Sequence, residues 1–357
     1  MKLKKKIKIV FLISSYTEYN NDLFLSLKKY FNVKVLLINL NEQLTNYKYF
    51  DKRTYLILKK KNIKNILTKL SPNIIIIGGY KIPYSDLVIK YSRAQNIKYF
   101  FWLEKINFNF LLKKFYFIMM NKYKLERANG ILAVGTHAYN FYKNINSNTI
   151  NFNYCINPKR FTRKKLSKNN NRINILFVGQ LLKRKGIKLI LDSLKLLDNK
   201  ILNSIFLTFV GNGPMAKNID KINKIFSFIS LKKFQSRKEL SNTYSKNNIF
   251  LFPSIYDGWG VAPMEAMASG MAIIISKNVG CAEYLTHKKN GLIINSNSFE
   301  ISEAIKFYFK NKNKILEYGK NNIDLLNRSN LNSNVNVLNL VKFLNKNISK
   351  NNSNYKI

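Results

Sequence analysis

Acidic residues and cysteine are scarce in this sequence, and no long hydrophobic run occurs. Only 18 of the 357 residues are Asp or Glu, and the two cysteines, Cys155 and Cys281, lie far apart. They can form neither a disulfide framework nor a cysteine-rich metal site, which fits a reducing compartment. No stretch reaches the roughly 20 apolar residues that span a bilayer, and the apolar run 9–13 is too short for a secretory signal. The sequence therefore predicts a cytoplasmic protein, attached to the membrane face or free of it.

Basic residues are in large excess, since 61 Lys and Arg give a formal net charge of +43. One interpretation is an anionic partner, such as nucleic acid, a phospholipid surface or a phosphorylated substrate. The other is nucleotide bias, because Lys, Asn and Ile all have AT-rich codons and all three crowd the sequence. Under either interpretation, a surface this positive is attracted to anionic headgroups at roughly 1 kcal/mol per nearby Lys or Arg.

Short apolar runs alternate with helix-like segments along most of the chain, which predicts an α/β fold. Continuous β-branched or aromatic runs are typical of strands covered on both faces. In the first half, the predicted strands are residues 7–14, 34–38, 73–78, 98–103, 131–135 and 149–155. In the second half they are residues 173–178, 205–210, 231–234, 249–253, 272–276 and 291–294, with helices at 186–197, 215–226, 238–246, 262–269 and 282–286.

This alternation specifies parallel, doubly wound sheets. The polar, Asn-rich segment 158–172 separates the two halves and has the composition of a linker. We therefore predict two Rossmann-like domains, 1–160 and 171–330, that face each other across a cleft. A C-terminal segment, 331–357, would add one helix around 337–344 and a frayed tail. Ligands are expected at the carboxyl ends of the strands.

The segment 252–270, FPSIYDGWGVAPMEAMASG, carries the densest chemistry. The glycines on either side of Trp259 let backbone amides approach a ligand closely, and the N–H groups at the start of the predicted helix attract an anion. Asp257 and Glu265 stand eight positions apart. Glu265 falls in the first or second turn of that helix, where its carboxylate could accept hydrogen bonds from vicinal hydroxyls. An acidic first turn stabilised by the helix dipole is the simpler alternative.

This segment resembles the nucleotide-sugar site of glycosyltransferase family 4, which carries an acidic residue, seven intervening residues and a Glu at the start of a helix. Asp257 stands where Glu is usual. The resemblance implies that Asp257 contacts hydroxyls of the donor sugar and that Glu265 binds the ribose. It also implies that the backbone amides of Trp259, Gly260 and Val261 hold the sugar and phosphate.

Four other blocks of the chain resemble the family and occur in the family's order. FVGQLLKRKG, residues 177–186, resembles the stretch that contacts the diphosphate, with Lys185 at the family's lysine and Gln180 in place of the usual arginine. FVGNGP, residues 209–214, matches the glycine-rich turn beside the donor pocket. Residues 234–237 correspond to the loop near the nucleobase, and residues 279–294 to the end of the domain. The resemblance is strong over 171–330; before that, only 135–142 and 154–161 look familiar.

The resemblance implies a retaining glycosyltransferase of the GT-B fold that uses a nucleotide-diphosphate sugar. The expected catalytic residues are Asp257, Lys185 and Glu265. The expected donor-binding residues are Gly179, Gln180, Lys185, Gly211, Ser236, Arg237, Asp257, Gly258, Trp259, Gly260, Val261 and Glu265. Because the sequence contains no Asp-x-Asp, a metal-bridged donor site is not indicated. We expect no cofactor and no metal, with Lys185 and helix N-termini neutralising the leaving diphosphate.

The acceptor is expected to be a glycan or a lipid-linked sugar in cell-surface polysaccharide or lipopolysaccharide synthesis. Glu104, at the end of a predicted strand, and His137, directly after another, are acceptor-side candidates. A structural role at a helix start is the alternative for His137, and His287 is interpreted as a surface residue. Residues 108–123 combine Phe and Lys as interfacial helices do, which indicates an anionic membrane surface as partner. A helix buried against the first sheet is the alternative.

Three other functions stay open on the sequence. A sugar phosphorylase or synthase can share the fold and the donor site. A basic RNA-binding protein would account for the charge. However, the lysines are scattered and the sequence has no RNP aromatic pair, Gly-x-x-Gly clamp or zinc knuckle, so nucleic acid is not an expected partner. A catalytically degenerate homologue is consistent with Gln180 and Asp257.

Overall fold

The computed structural model of the chain describes residues 6–14, 16–38, 53–58, 62–79, 82–104, 111–161, 172–329 and 331–349. At residues 111–114, 116–118, 237 and 349 it describes the backbone alone. The chain divides into two compact units. Unit 1 comprises Met1–Cys155 and Ser333–Ile357, and unit 2 comprises Ile156–Asn332.

Unit 1 contains a seven-stranded sheet. Its strands are β1 (Lys8–Ile13), β2 (Asn32–Leu37), β3 (Tyr55–Ile57), β4 (Ile74–Ile77), β5 (Lys98–Glu104), β6 (Gly130–Val134) and β7 (Thr149–Asn151). They are ordered β3-β2-β1-β4-β5-β6-β7, and each neighbouring pair is parallel. Six of the strands confirm the predictions from continuous apolar runs. Strand β3 was not predicted, because three residues are too few to form a recognisable run.

Within the described residues, five helices connect these strands. They are α1 (Glu18–Leu27), α2 (Ile63–Leu70), α3 (Ser85–Ala94), α4 (Leu111–Glu126) and α5 (Thr136–Lys143). Thr17 starts α1 as an N-cap by accepting a hydrogen bond from the Asn20 amide (3.4 Å). None of the described helices anywhere in the chain is long and apolar enough to cross a membrane.

Unit 2 contains a six-stranded parallel sheet. Its strands are β8 (Ile173–Val178), β9 (Ile205–Val210), β10 (Ile229–Lys232), β11 (Ile249–Phe252), β12 (Ala272–Ser276) and β13 (Gly291–Ile294). Its helices are α6 (Ile187–Leu194), α7 (Asn199–Ser204), α8 (Ala216–Asn223), α9 (Arg237–Ser245), α10 (Val261–Ala268), α11 (Ser298–Lys310) and α12 (Lys312–Arg328). All six strands were predicted, β10 two residues too late. The helix predicted at 282–286 is a 3-10 helix, Gly280–Tyr284. Helices α7, α11 and α12 were not predicted.

The strand order of unit 2, β10-β9-β8-β11-β12-β13, reverses direction at β8. The chain moves outward from β8 to β10 and then returns to the other side of β8 with β11. In sheets of this type, ligands bind at the carboxyl ends of the strands where the strand order reverses.

The last helix, α13 (Ser333–Ser349), belongs to unit 1. Its apolar residues Val337, Leu340 and Leu344 are buried, and the Phe343 ring packs edge-on against Phe100 at 5.7 Å. The structure thus differs from the predicted division, which treated 331–357 as a separate segment. The chain also enters unit 2 at Ile156, ahead of the predicted linker. An amphipathic pattern shows that a helix needs a partner surface but not which sheet supplies it.

Candidate functional site

Two glycine-containing turns meet at the carboxyl ends of β8 and β9. Gly179 and Gly211 have φ values of +154° and +147°, and a Cβ atom on Gly211 would overlap the carbonyl oxygen of Gly179. The Leu181 amide donates a hydrogen bond to the Asn212 carbonyl oxygen (2.9 Å). The repeated Phe-Val-Gly pattern therefore encodes a close approach of two backbone turns, which brings two predicted donor-binding glycines together.

Lys185 ends a short 3-10 helix, Lys183–Lys185, that follows β8. It is 9% exposed, whereas Lys183 and Arg184 are exposed to solvent. Its ammonium donates a hydrogen bond to a carboxylate oxygen of Asp257 and lies 5.0 Å from the centre of the Phe252 ring. Of three consecutive basic residues, the one predicted to contact a diphosphate is the one held inward.

The turn that carries Lys185 is bonded to the loop after β11. The Ile255 amide donates to the Arg184 carbonyl oxygen (2.8 Å), and the Arg184 guanidinium donates to the Tyr256 carbonyl oxygen (3.2 Å). Gly186 makes this contact possible, because its φ is +79° and a Cβ atom there would lie 2.5 Å from the Pro253 carbonyl oxygen. The loop after β8 and the loop after β11 are therefore joined directly at the point where the strand order reverses.

Asp257 is held through its backbone and through both carboxylate oxygens. Its amide donates to the Asn278 carbonyl oxygen (3.2 Å), and its carbonyl oxygen accepts from the Gly280 amide (3.1 Å). The Trp259 amide donates to Oδ1 (3.3 Å), while Lys185 binds Oδ2. The two side chains of the ion pair are only 11% and 15% exposed, so water screens their attraction weakly. The sequence indicated both as ligands of a donor, but not that they bind each other.

The loop around Trp259 is anchored by its indole ring. Trp259 is 2% exposed and packs edge-on against Tyr284 at 6.0 Å, and its carbonyl oxygen accepts from the Cys281 amide (2.7 Å). Gly260 follows with a φ of +89°, and a Cβ atom there would lie 2.6 Å from Val279. The side chain of Trp259 thus fixes the loop, and its amide is oriented toward the Asp257 carboxylate, directly before α10.

Glu265 lies in the second turn of α10 and has a buried partner that the sequence analysis missed. One of its carboxylate oxygens accepts a hydrogen bond from the hydroxyl of Tyr244 (2.9 Å). Tyr244 lies on α9 and is fully buried against Phe161 and Phe250. Burial, and then the charge of Glu265, raise the pKa of Tyr244 well above its usual value, so the hydroxyl stays protonated and remains a donor. The spacing of Leu240 and Tyr244 on α9 was a signal for an inward-facing residue, but not for its bond to Glu265.

The loop after β10 carries the remaining predicted donor residues. The Phe234 amide donates to the Asn212 side-chain oxygen (3.2 Å), which ties this loop to the turn after β9, and the Phe234 ring is 54% exposed. Ser236 is the N-cap of α9, and its hydroxyl bonds to Glu239 (2.7 Å) in a capping box. Arg237 begins α9, and its side chain lies outside the described residues.

The acceptor-side candidates Glu104 and His137 share one edge of the unit 1 sheet. Glu104 ends β5 opposite Val134, and His137 lies in the first turn of α5, three residues after Val134. Tyr154 forms a hydrogen bond with the Glu104 side chain, and burial, Glu104 and Tyr19 together raise the pKa of the Tyr154 hydroxyl. His137 is exposed, as is His287, whose Nδ1 accepts from the Ile293 amide (3.1 Å).

Comparison with known proteins decides what unit 2 is. Residues 158–324 match the family model described as "Glycosyl transferases group 1". Unit 2 is thus similar to group 1 glycosyl transferases over nearly its whole length. The match confirms the resemblance drawn from the sequence at the level of this group, and it covers every predicted donor-binding residue.

Several relatives and solved structures are similar to the chain. An uncharacterised glycosyltransferase of Haemophilus influenzae is 27% identical over 256 residues, which is 71% of this chain and 70% of that protein. The N,N'-diacetylbacillosaminyl-diphospho-undecaprenol alpha-1,3-N-acetylgalactosaminyltransferase of Campylobacter jejuni is 25% identical over 148 residues, 41% of this chain and 38% of that enzyme. The match spans about two fifths of the length of the first curated relatives, from Methanocaldococcus jannaschii and Bacillus subtilis.

Among solved structures, sucrose-phosphate synthase from Thermosynechococcus elongatus has a TM-score of 0.77 at 16% identity, covering 97% of this chain and 100% of that chain. HepE of Anabaena in complex with UDP-glucose has a TM-score of 0.74 at 13% identity, covering 95% and 100%. At these identities the likeness concerns the fold. With the two parallel sheets, it establishes the predicted GT-B fold.

Unit 2 gathers most of the predicted donor residues at the ends of β8, β9 and β11. Gln180 is exposed in the turn after β8, next to the turn that holds Gly211. Within the described residues, no group of three or more His, Cys, Asp or Glu side chains is placed to hold a metal ion.

Proposed function

We propose that the chain is a glycosyltransferase that moves a sugar from a nucleotide-diphosphate sugar, with retention of configuration, to a glycan or lipid-linked acceptor. The observation that carries the proposal is the buried Lys185–Asp257 pair beside the N-terminus of α10, with Glu265 one turn further on. A diphosphate is attracted by Lys185 and by the amides that precede α10. The vicinal hydroxyls of a ribose are bound by a carboxylate that is held in place. Glu265 provides the carboxylate, and the Tyr244 hydroxyl holds it by a hydrogen bond.

In the proposed reaction, the bond between the anomeric carbon and the diphosphate oxygen breaks. The acceptor hydroxyl oxygen then forms its bond to the same carbon from the same face. The acceptor proton passes to the leaving diphosphate, so no second catalytic carboxylate is needed, in contrast to the double displacement of retaining hydrolases. Lys185 stabilises the charge that develops on the leaving group. Asp257 accepts hydrogen bonds from hydroxyls of the transferred sugar.

We also propose that transfer needs no metal ion, because Lys185 and the amides before α10 supply the positive charge that a cation would otherwise bring. The test is transfer in EDTA. Activity should persist unchanged. Loss of activity in EDTA with recovery in Mn²⁺ would contradict this part of the proposal, while leaving the assignment of Glu265 to the ribose open to its own test.

The proposed acceptor is a growing glycan or a lipid-linked sugar of cell-surface polysaccharide or lipopolysaccharide synthesis. Supporting this, the Campylobacter jejuni relative is named for a diphospho-undecaprenol substrate. A similar protein of Staphylococcus aureus is named for capsular polysaccharide biosynthesis, and the solved WaaG structure for lipopolysaccharide biosynthesis. An assay of radiolabelled sugar transfer should therefore give organic-extractable product with a lipid-linked acceptor. Transfer only to soluble sugars or to phosphate would favour a synthase or phosphorylase instead.

Peripheral attachment to the cytoplasmic membrane face belongs to the same proposal, and α4 is the element that supports it. Phe115, Met119 and Tyr123 follow one another at four-residue spacing and are 64%, 60% and 53% exposed. Leu125 on the opposite side is buried, so α4 packs on unit 1 with one side and exposes apolar side chains on the other. Two lysines of α4 are paired with carboxylates, Lys122 with Glu126 (3.6 Å) and Lys124 with Asp86 (2.6 Å). Phe108, Phe110 and the side chains of Lys113, Lys114 and Phe117 lie outside the described residues.

Vesicle co-sedimentation tests the attachment. The double variant Phe115→Ser/Met119→Ser should bind vesicles of anionic lipid less well than the wild type at low salt, because it removes apolar area from the helix. The matched control is Leu25→Ser/Leu87→Ser, which removes two exposed leucines (45% and 44%) from α1 and α3. Equal binding by the wild type and the α4 variant would mean that scattered charge alone attracts the protein.

The donor assignment is tested first by thermal stabilisation with a panel of nucleotide sugars, because a ligand that binds only the folded state raises the Tm. One nucleotide sugar should raise it, and Glu265→Ala should remove most of that effect while leaving the melting of the free protein intact. If no nucleotide sugar stabilises the wild type, the donor proposal fails. Stabilisation without transfer to any acceptor would instead identify a binding-competent but catalytically degenerate homologue.

A further inference from the structure

Unit 1 contains a second concave and strongly basic feature that the proposed transfer reaction does not use. A cavity of about 540 Å³ opens at the amino ends of β1 and β2, where these strands begin at Lys8 and Asn32. It is lined by Lys6, Lys8, Lys28, Phe31, Asn32, Val33, Lys34, Arg53 and Thr54, which we call the basic pocket. It lies at the opposite edge of the sheet from Glu104, which ends β5.

The basic pocket is enriched in cations beyond the bias of the whole chain. Five of its nine lining residues are Lys or Arg, against 61 of 357 in the sequence, and none of the described lining residues is acidic. Its floor is apolar, because Phe31 and Val33 are almost fully buried. A cleft lined by one sign of charge over a poorly polarisable floor concentrates the electric field and attracts counter-ions.

Neutral oxygens accept hydrogen bonds from three lysines of the basic pocket, Lys6, Lys8 and Lys34. The Lys6 ammonium donates to the carbonyl oxygens of Lys28 and Lys29 (both 3.1 Å). The Lys8 ammonium donates to the Leu70 carbonyl oxygen (3.3 Å) and to the Ser71 hydroxyl (3.0 Å).

The ammonium of Lys34 likewise donates to the carbonyl oxygen of Arg53. Each ammonium has three donors, so bonds to these neutral oxygens orient the groups without using all their donors or cancelling their charge.

We propose that the basic pocket binds a phosphate-bearing polyanion, a diphosphate or larger group. Its volume falls within the range of small-ligand pockets, and five cationic lining residues match an anion of several charges better than a single carboxylate. The same chemistry could be presented by a soluble polyphosphate compound or by phosphates of lipid headgroups. The site does not depend on the proposed transfer reaction.

Calorimetric titration of the full chain with sodium pyrophosphate tests the site. The double variant Lys6→Gln/Lys34→Gln should bind pyrophosphate at least about tenfold more weakly, since two charge-assisted hydrogen bonds are removed. Lys34→Arg keeps the charge and should retain most of the affinity. The matched control is Lys64→Gln/Lys90→Gln, which removes two exposed lysines from α2 and α3. The pyrophosphate binding that depends on Lys6 and Lys34 should persist in the Lys185→Ala variant. This result distinguishes the basic pocket from the diphosphate contact proposed for unit 2.

Equal weakening in the pocket variant and the control variant would overturn the proposal, because diffuse charge would then explain the binding. No saturable binding in the Lys185→Ala chain would overturn it as well. If the double variant fails to fold, Lys6→Gln alone is the test, since Lys6 is exposed. A parallel arm uses phosphatidylglycerol vesicles. Vesicle binding that pyrophosphate competes away and the pocket variant loses assigns the anion to lipid headgroups, and unchanged vesicle binding assigns it to a soluble compound.

Discussion

Lysines are fixed in both units, but their charge is compensated in different ways. In unit 2, Lys185 is almost fully buried and its ammonium is bound by the carboxylate of Asp257. In unit 1, Lys6, Lys8 and Lys34 of the basic pocket donate to carbonyl and hydroxyl oxygens. A carboxylate orients a lysine and offsets part of its electric field, whereas a neutral oxygen orients the lysine without offsetting its charge.

This difference shows that residue type alone does not tell what a lysine does in a chain with 61 basic residues. The buried pair in unit 2 fixes one cation in a defined place beside an acidic group, which we propose turns to the hydroxyls of the donor sugar. The basic pocket keeps its field and would attract an anion from solution. The following variants test the contrast, beginning with the largest expected effect.

Lys185→Ala should lower kcat/KM for sugar transfer by roughly 10²–10³, the scale for losing one preorganised electrostatic partner of a leaving group. Lys185→Arg should recover part of it, because the charge is kept but the geometry differs. The control is Lys200→Ala, an exposed lysine of α7, which should transfer at the wild-type rate. Full activity in Lys185→Ala would move the diphosphate contact to Lys183 or Arg184.

Asp257→Asn should lower the free energy of unfolding by about 3 kcal/mol, because it leaves Lys185 charged and largely buried without its partner. Asp86→Asn breaks a pair of the same chemistry with Lys124, but there the side chains are 34% and 69% exposed, so a loss below about 1 kcal/mol is expected. Urea unfolding of both variants measures the difference. Similar losses in the two would mean that burial adds nothing to the pair in unit 2.

Gly211→Ala should lower the free energy of unfolding by about 2 kcal/mol, because a Cβ atom there overlaps the Gly179 carbonyl oxygen and the turns must separate. Gly179→Ala is the matched control. Its φ is almost the same, but its Cβ atom would meet only ordinary contacts of 3.6 Å or more. The difference between the two variants isolates the close approach of the turns, and equal losses would attribute the whole effect to the backbone conformation.

Tyr244→Phe should raise the donor KM by about tenfold with kcat nearly unchanged, since it removes one hydrogen bond to a charged group that binds the donor. The hydroxyl makes no expected contact with the reacting atoms, so a fall in kcat instead would contradict a positioning role. A fall in Tm alone, with KM unchanged, would show that Tyr244 serves packing against Phe161 and Phe250 and not the orientation of Glu265.

Local sequence was sufficient for most of the fold and for the glycine positions where the backbone approaches closely. Continuous buried runs such as 74–77 and 249–252 identify parallel strands, because both faces are covered. Glycines before a helix or after a strand identify close backbone approaches, because no other residue fits them. That Gly179 and Gly211 bind a donor was instead implied by the family resemblance, and it stays a prediction.

What the tertiary structure decided are the partners that come from distant parts of the chain. The sequence names Lys185 and Asp257 but not their ion pair, and it gives no sign that Tyr244 bonds to Glu265 or that α13 packs on unit 1. Lys6, Lys34 and Arg53 are spread over 48 positions of the sequence, and the folded sheet brings these three residues around one cavity. Periodicity and turn chemistry act over a few residues, whereas these contacts depend on which strand ends lie side by side, and only the folded sheets fix that order.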